Sequence, residues 1–171
     1  MPNQLFCSVR KKWILETPEE KVRQLLISHM TQNLGYPIGS LALEVTLSQM
    51  PHLRHIPPQQ IPKRRADLVI LTPHLHPSFP LYPLLLIECK AVPLTDKAMR
   101  QVIGYNQFLQ ACFIGLANQD EKRLGWYDPQ QKDYQAITNI FSYPSLLQQA
   151  KLSLIDPRHN KLIFDHSELI K

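Results

Sequence analysis

Three charged side chains on two predicted strands could carry out chemistry together. Asp67 lies near the start of one apolar strand, and Glu88 and Lys90 lie at the end of the next. An antiparallel register that pairs Leu71 with Leu84 puts Asp67 opposite Glu88, roughly 5 Å apart at Cβ. Lys90 shares that face of the sheet. Adjacent carboxylates can bind a divalent cation, and a nearby lysine can orient water or stabilise phosphorane charge, so the pattern predicts phosphodiester hydrolysis.

Each of these residues also has an ordinary structural explanation. Asp67 could pair with Arg64 or Arg65 at the start of its strand. Glu88, which ends an apolar strand, needs a partner and could find it in Lys90. A register slip of one residue would separate the two carboxylates altogether. From the residues alone, a metal site and a pair of plain ion pairs both remain open.

The elements that position these residues are predicted from hydrophobic periodicity and capping signals. Thr17 caps a helix that ends near Leu34, with Pro18 at its first position and Glu20 where a capping box uses its carboxylate. Further helices are predicted over 97–110 and 144–152, strands over 41–47, 66–71, 84–90, 112–117 and 123–127, and loops over 51–62 and 72–83. Without a visible linker or repeat, we expect one domain over 1–171, with a motif-bearing core at about 17–127 and an unassigned segment over 128–171.

Four short motifs follow one another along the chain. They are Pro18-Glu19-Glu20-Lys21-Val22-Arg23-Gln24, Arg65-Ala66-Asp67-Leu68-Val69, Leu86-Ile87-Glu88-Cys89-Lys90-Ala91 and Gln101-x-x-x-Tyr105-Asn106. Their order, and their placement on helix, strand, strand and helix, resemble the N-terminal nuclease domain of type I restriction enzyme R subunits, in the PD-(D/E)xK nuclease superfamily. The resemblance implies a restriction-endonuclease-like α/β fold, with a mixed sheet flanked by helices, and cleavage of DNA with Mg²⁺ or Mn²⁺.

The resemblance also implies roles for individual residues. The catalytic set would be Asp67, Glu88, Lys90, Gln101 and Tyr105. The metal ligands would be Asp67, Glu88, the backbone carbonyl of Cys89 and a glutamate of the first helix, for which we choose Glu19. Glu19 is expected on the inward face, whereas Glu20 occupies the capping position. Gln101 and Tyr105 share one helix face and would orient the DNA backbone and Lys90, although a half-buried tyrosine beside a polar residue is also a common surface pattern.

The composition favours an anionic partner. The 171 residues include 19 Lys and Arg against 14 Asp and Glu, which gives a net charge of +5 and a pI near 9.2. The basic run Lys63, Arg64 and Arg65 directly precedes Asp67 and is expected to contact DNA phosphates. Neither phosphate-binding glycine motif, G-x-x-x-x-G-K-[ST] or G-x-G-x-x-G, is present, so we expect no nucleotide cofactor.

Cysteine and histidine usage points to a cytoplasmic protein without a zinc site. Three cysteines occur with no C-x-x-C spacing, no apolar leader is visible, and no apolar run is long enough to cross a membrane. The pairs His52-x-x-His55 and His74-x-His76 lack cysteine or acidic partners at matching distances. We therefore expect reduced thiols, solvent-facing histidines and no contact with membranes.

The leading hypothesis is a metal-dependent DNA endonuclease. The printed chain contains no helicase motor of the kind that follows this domain in restriction subunits, so a separate motor or specificity subunit is an expected partner. The alternative is a nucleic-acid- or protein-binding module on the same fold with little or no cleavage. A third reading is an interaction protein whose basic face only keeps it soluble. The intact set Asp67, Glu88 and Lys90 favours the enzyme.

Overall fold

The structure is a computed structural model that describes residues 2–155. Its strands are β1 (Gln4–Cys7), β2 (Lys12–Leu15), β3 (Leu41–Thr46), β4 (Arg65–His76), β5 (Phe79–Cys89), β6 (Phe113–Ala117), β7 (Lys122–Asp128) and β8 (Asp133–Thr138). Its α-helices are α1 (Pro18–Asn33), α2 (Asp96–Leu109) and α3 (Tyr143–Ile155). Short 3₁₀ turns occupy Ile38–Ser40, Leu47–Gln49, Pro51–Leu53 and Pro58–Gln60.

Six strands form one mixed sheet in the order β3-β4-β5-β6-β7-β8, and β1 and β2 form a separate hairpin. Neighbours in the large sheet are antiparallel except β5 and β6, which are parallel. A parallel pair needs a crossover connection, and α2 supplies it. This α/β architecture confirms the predicted mixed sheet flanked by helices.

Helices cover both faces of this sheet. One face packs on α1 and α3, with Leu26 and Leu146 buried against Leu68 and Ile87. The other face packs on α2, with Val102 buried against Leu86 and its neighbours. Because β5 is covered on both sides, its apolar run 84–87 is almost uninterrupted, as expected for a central strand. The first polar side chain of that run is Glu88, at the strand end.

Capping residues fix where the two site-bearing helices begin. Thr17 Oγ1 accepts a hydrogen bond from Glu20 N at 3.1 Å, and Thr95 Oγ1 accepts one from Ala98 N at 3.1 Å. At the far end of α2, the side chain of Asn106 bonds both backbone groups of Ala111. The helix starts near Thr17 and Thr95 are confirmed.

The hairpin formed by β4 and β5 has the predicted register where it matters for the site. Leu71 pairs with Pro83 rather than with Leu84, so the predicted anchoring pair is wrong. Leu84 is the extra residue of a bulge, and beyond it Ile70 pairs with Leu85 and Leu68 with Ile87, as predicted. The wrong pair at Leu71 therefore does not change the predicted pairing nearer Asp67 and Glu88.

The predicted loop over 72–83 is wrong, because β4 and β5 continue through it. Its four prolines predict a loop and not strands, because proline cannot donate a hydrogen bond to a β-ladder. Pro83 lies at the bulge, and Pro73 lies at a second irregularity of the pairing. Packing outweighs these signals: the ring centroid of His76 lies 4.7 Å from that of Tyr82 and 4.9 Å from that of Phe79.

One histidine contradicts the expectation of solvent-facing rings. His52 is buried and its Nε2 lies 2.6 Å from the carbonyl oxygen of Leu109. Burial, together with the charges of His55 and His76, lowers its pKa. Among residues 2–155 no three His, Cys, Asp or Glu side chains are grouped to hold a metal ion. His52, His55 and His76 contact the ring of Phe79, whereas His74 is exposed, as predicted.

The ends of the chain carry elements that the sequence did not predict clearly. The hairpin β1–β2 and strand β8 were not predicted, whereas α3 confirms the helix expected over 144–152. The rest of the unassigned C-terminal segment, 156–171, lies outside the described residues. No helix between residues 2 and 155 is long and apolar enough to cross a membrane.

Candidate active site

The candidate site lies where β4 begins and β5 ends, beside the first turns of α1 and α2. Asp67 joins the two strands, because its Oδ2 accepts a hydrogen bond from the backbone N of Cys89 at 3.0 Å. Its other oxygen, Oδ1, lies 3.1 Å from Nη2 of Arg23 on α1. The carboxylate thus has a fixed orientation, yet two contacts use only about half of the four acceptor positions of its oxygens.

Glu88 lies near enough to Asp67 for the two carboxylates to interact electrostatically. Burial and then the charge of Asp67 raise the pKa of Glu88 to about 7, although Lys90 opposes the shift. Nζ of Lys90 lies 3.8 Å from Oε2 of Glu88. The structure therefore brings the three predicted charged residues together, with a like-charged carboxylate pair that is only partly compensated by one lysine.

Arg23 compensates the opposite side of the site. Its side chain is 6% exposed, and its Nη1 lies 2.6 Å from Oε2 of Glu20, while Nη2 contacts Asp67. Glu44, in a left-handed conformation within β3 (φ 50°), supplies a third carboxylate. Its Oε1 lies 3.6 Å from Nη1 of Arg23. Arg10, from the β1–β2 turn, also bonds Glu44. The sequence did not predict this network: its structural alternative paired Asp67 with Arg64 or Arg65, whereas the partner in the structure is Arg23. Its one signal was the buried helical face that carries Glu20 and Arg23.

The choice of Glu19 as the inward-facing glutamate is wrong. Glu19 is exposed, and Glu20 is the buried carboxylate. The backbone N of Glu20 completes one half of the capping box, but its side chain accepts from Arg23 and from Gln24 instead of from the cap. Glu20 is therefore the glutamate of α1 that reaches the Arg23–Asp67 network.

A pocket of about 330 Å³ opens beside Glu88 and Lys90. Its other lining residues are Arg64, Arg65, Ala98, Gln101, Val102 and Tyr105. The Oη atom of Tyr105 is buried and has no hydrogen-bond partner among residues 2–155. Burial raises the pKa of Tyr105, and the charge of Glu88 adds to that shift, so the hydroxyl keeps its proton. A phosphate entering the pocket would meet the cations Arg64, Arg65 and Lys90.

A family model described as type I restriction enzyme R protein N terminus (HSDR_N) matches residues 18–140. The match covers well over half of the chain and runs from the first residue of α1 to just beyond β8. The chain belongs to this family. The domain that defines this family, the N-terminal domain of the R protein, is a PD-(D/E)xK-type nuclease domain. Neither the curated proteins nor the solved structures include a match to the chain.

The matched range contains all four sequence motifs. It extends past the motif-bearing core predicted to end at about residue 127 and includes β8, whereas the β1–β2 hairpin and α3 lie outside it. Arg10 therefore brings a cation to the network from a hairpin that precedes the matched region.

The residues present fit the divalent cation on which nucleases of this family typically depend. Mg²⁺ commonly uses one or two carboxylates and keeps several waters, so a third protein carboxylate is not required. Asp67 and Glu88 supply such a pair, and their mutual repulsion is what a cation would relieve. The carboxylate of Glu20 is already bonded to Arg23 and Gln24. A role for the carbonyl of Cys89 stays a prediction.

The basic run is exposed, and two of its three members line the pocket. Arg64 and Arg65 are lining residues, and Lys63 is exposed beside them. The guanidinium of Arg64 lies 6.0 Å from the ring centroid of Tyr105, and Nη2 of Arg65 lies 3.2 Å from Glu44. Arg64 has the freer charge of the two, because no carboxylate among residues 2–155 forms an ion pair with its guanidinium, whereas Arg65 is paired with Glu44.

In metal-free buffer the stability of the R-protein domain is expected to fall as pH rises from about 4.5 to about 7. The folded state raises the pKa of Glu88 above its ordinary value, so it binds more protons than the unfolded chain in that window. Glu88→Gln removes this titration. The difference in unfolding free energy between parent and variant should change by at most about 1.4 kcal/mol per pH unit. Urea unfolding with chelator at several pH values measures this difference. If the unfolding free energies of parent and variant changed in parallel with pH, the raised pKa of Glu88 would be contradicted.

Proposed function

We propose that this domain is a metal-dependent endonuclease that hydrolyses phosphodiester bonds in DNA. The observation that carries the proposal is the cluster of Asp67, Glu88 and Lys90. Glu88 and Lys90 of this cluster line a pocket together with Arg64 and Arg65. Family membership supports it, because the matched R-protein domain is of the PD-(D/E)xK nuclease type. We place the enzyme in the cytoplasm, acting with a motor or specificity subunit.

In this proposal the site residues have separate roles. A divalent cation held by Asp67 and Glu88 would acidify a bound water and neutralise phosphate charge. Lys90, whose ammonium lies 3.8 Å from Glu88, orients the attacking water and stabilises the negative charge that develops on the phosphorane. Arg64 and Arg65 bind phosphate oxygens beside it. Gln101 and Tyr105, on the helical wall of the pocket, position the strand.

A plasmid assay tests the proposal directly. Supercoiled DNA is incubated with the chain in Mg²⁺ or Mn²⁺, and in parallel with chelator. We expect conversion to nicked or linear DNA only with the metal. A chain that binds the plasmid but leaves it intact in both metals would refute the endonuclease and favour a DNA-binding module of the same fold.

Divalent metal is expected to raise the melting temperature of the chain at pH 8. A cation that binds only the folded state stabilises it by about 1.4 kcal/mol at tenfold above Kd, which corresponds to roughly 3 to 5 °C. Above the raised pKa of Glu88, its carboxylate is free to bind. Glu88→Gln should abolish the shift, whereas Lys90→Met should retain or increase it because the lysine repels the cation. An equal shift in Glu88→Gln would place the metal elsewhere.

DNA affinity is expected to depend steeply on salt through the basic run. Each lost phosphate contact lowers the slope of log affinity against log salt by about 0.9 for duplex DNA. Arg64→Ala should therefore flatten the slope by about one. Lys151→Ala is the matched control, because Lys151 is exposed on α3, which covers the opposite face of the sheet. A fluorescence-anisotropy titration over a salt series measures both. Equal slopes for Arg64→Ala and the parent would remove Arg64 from the interface.

A further inference from the structure

A second groove of about 350 Å³ continues from the candidate active site along α2. It is lined by Pro62, Arg64, Gln101, Gly104, Tyr105 and Phe108. Arg64, Gln101 and Tyr105 also line the first pocket, so the two spaces adjoin. None of the six lining residues is acidic, and the groove offers an aromatic surface next to a cation.

Gly104 keeps the floor of this groove open. It lies in the interior of α2 and is exposed. A Cβ at this position would meet no atom within 4 Å, so close packing does not require a glycine. Glycine in a helix interior costs about 1 kcal/mol relative to alanine. The missing side chain leaves a shallow space between Gln101 and Phe108, three residues before and four after it on the same helix face.

Phe108 forms the far end of the groove. Its side chain is 47% exposed, although α2 buries its other large apolar residues against the sheet. Gln101 and Phe108 are seven residues apart, about 10 Å along the helix axis. An exposed aromatic ring beside a cationic groove is the arrangement on which single-stranded nucleic acids stack their bases.

We propose that this groove binds an unpaired nucleobase of the same DNA strand whose phosphate occupies the active-site pocket. The base stacks on Phe108 over Gly104, and Arg64, at the junction of the two spaces, holds the phosphate between them. Only an unpaired base presents a free π face, so the preferred substrate contains single-stranded or locally unpaired DNA. Tyr105 lines both spaces, and its hydroxyl is buried without a partner among residues 2–155. This inference rests on the proposed function, because it assumes a DNA strand in the first pocket.

The test uses Glu88→Gln as background, so that binding is measured without cleavage. A single-stranded oligonucleotide carrying one 2-aminopurine is titrated into the full chain, and the same strand is titrated as a duplex. We expect fluorescence quenching at one position of the single strand. Phe108→Ala should weaken single-strand binding by roughly 5- to 150-fold and remove the quenching, since base–aromatic stacking contributes about that much. Duplex binding should change less than twofold.

Two further variants keep the outcome clear. Gly104→Leu should fill the groove and lower single-strand affinity, while the better helix-forming residue preserves the fold. Phe6→Ala removes an equally exposed aromatic ring, 50% exposed on the separate hairpin, and should leave binding unchanged. Unaltered quenching in both groove variants, or a parent that does not bind single strands, would overturn the inference. A parent that sediments as a dimer, with a Phe108→Ala variant that sediments as a monomer, would also overturn it, because a second copy of the chain would then occupy the groove.

The two proposals fail in different ways. The endonuclease fails if the parent chain cleaves no DNA with metal, whatever the groove variants bind. The groove fails if the parent cleaves plasmid but Phe108→Ala and Gly104→Leu keep the parent's affinity for single strands. Cleavage of a gapped duplex compared with an intact one, measured on the parent, gives a further readout: the groove predicts faster cleavage next to the gap.

Discussion

Replacing Asp67 with Asn, Glu88 with Gln or Lys90 with Met is expected to lower the rate of plasmid cleavage by 10²-fold or more. Each residue acts on charge that develops at the reacting phosphate, and loss of one such contact typically costs 10²- to 10³-fold. The substitutions keep side-chain size, so the folded structure should survive. Glu88→Gln also relieves the repulsion between the carboxylates, so its stability in chelator at pH 8 should equal or exceed that of the parent.

Single-turnover cleavage of supercoiled plasmid in Mg²⁺ measures the effect, with thermal melting of each variant as the check on folding. Lys151→Ala serves again as the matched control and should cleave at the parent rate, because it changes the charge on the face of the sheet that α3 covers. A folded Glu88→Gln or Lys90→Met variant that cleaves like the parent would show that the candidate site is not the reacting centre.

The sequence was sufficient for the parts of the site that depend on local strand geometry. Asp67 precedes the apolar run of β4 and Glu88 follows the apolar run of β5, and side chains alternate along a strand with a period of two. These facts alone brought the carboxylates together, even though the bulge at Leu84 shifted the pairing near Leu71. Between the bulge and the site the strands pair as predicted, with Ile70 opposite Leu85 and Leu68 opposite Ile87, so the predicted proximity of the two carboxylates did not depend on the wrong pair.

The parts that the sequence did not predict depend on contacts between distant elements. Which glutamate of α1 faces inward is decided by Arg23, and Arg23 is placed by Asp67, 44 residues away in the chain. The strands stay paired across 72–83 despite the proline signals, and the rings of His76 and Tyr82, far apart in the local pattern, stack there. Propensity and capping rules describe neighbours in sequence, so they could not rank Glu20 above Glu19.

Loss of Arg23 is expected to lower the free energy of unfolding more than loss of any other residue of the site. It is buried and bonded to Glu20 and Asp67. Removing one partner of a buried ion pair costs about 3 to 5 kcal/mol, because the remaining charge stays buried without compensation. Arg23→Met preserves the apolar stem but not the charge, so urea unfolding in chelator should show a loss of that order. A loss below about 1 kcal/mol would mean that water compensates Glu20 and Asp67 as well as the arginine does.

A double-variant cycle and a metal titration separate charge from packing in Arg23→Met. Adding Asp67→Asn to Arg23→Met should recover part of the lost stability, because it removes one of the carboxylates that Arg23 balanced. Purely additive effects would assign the loss to packing instead. Mg²⁺ should raise the melting temperature of Arg23→Met more than that of the parent, because the cation then supplies the only strong positive charge on Asp67. An equal metal shift in both proteins would mean that Arg23 and the metal act on Asp67 independently.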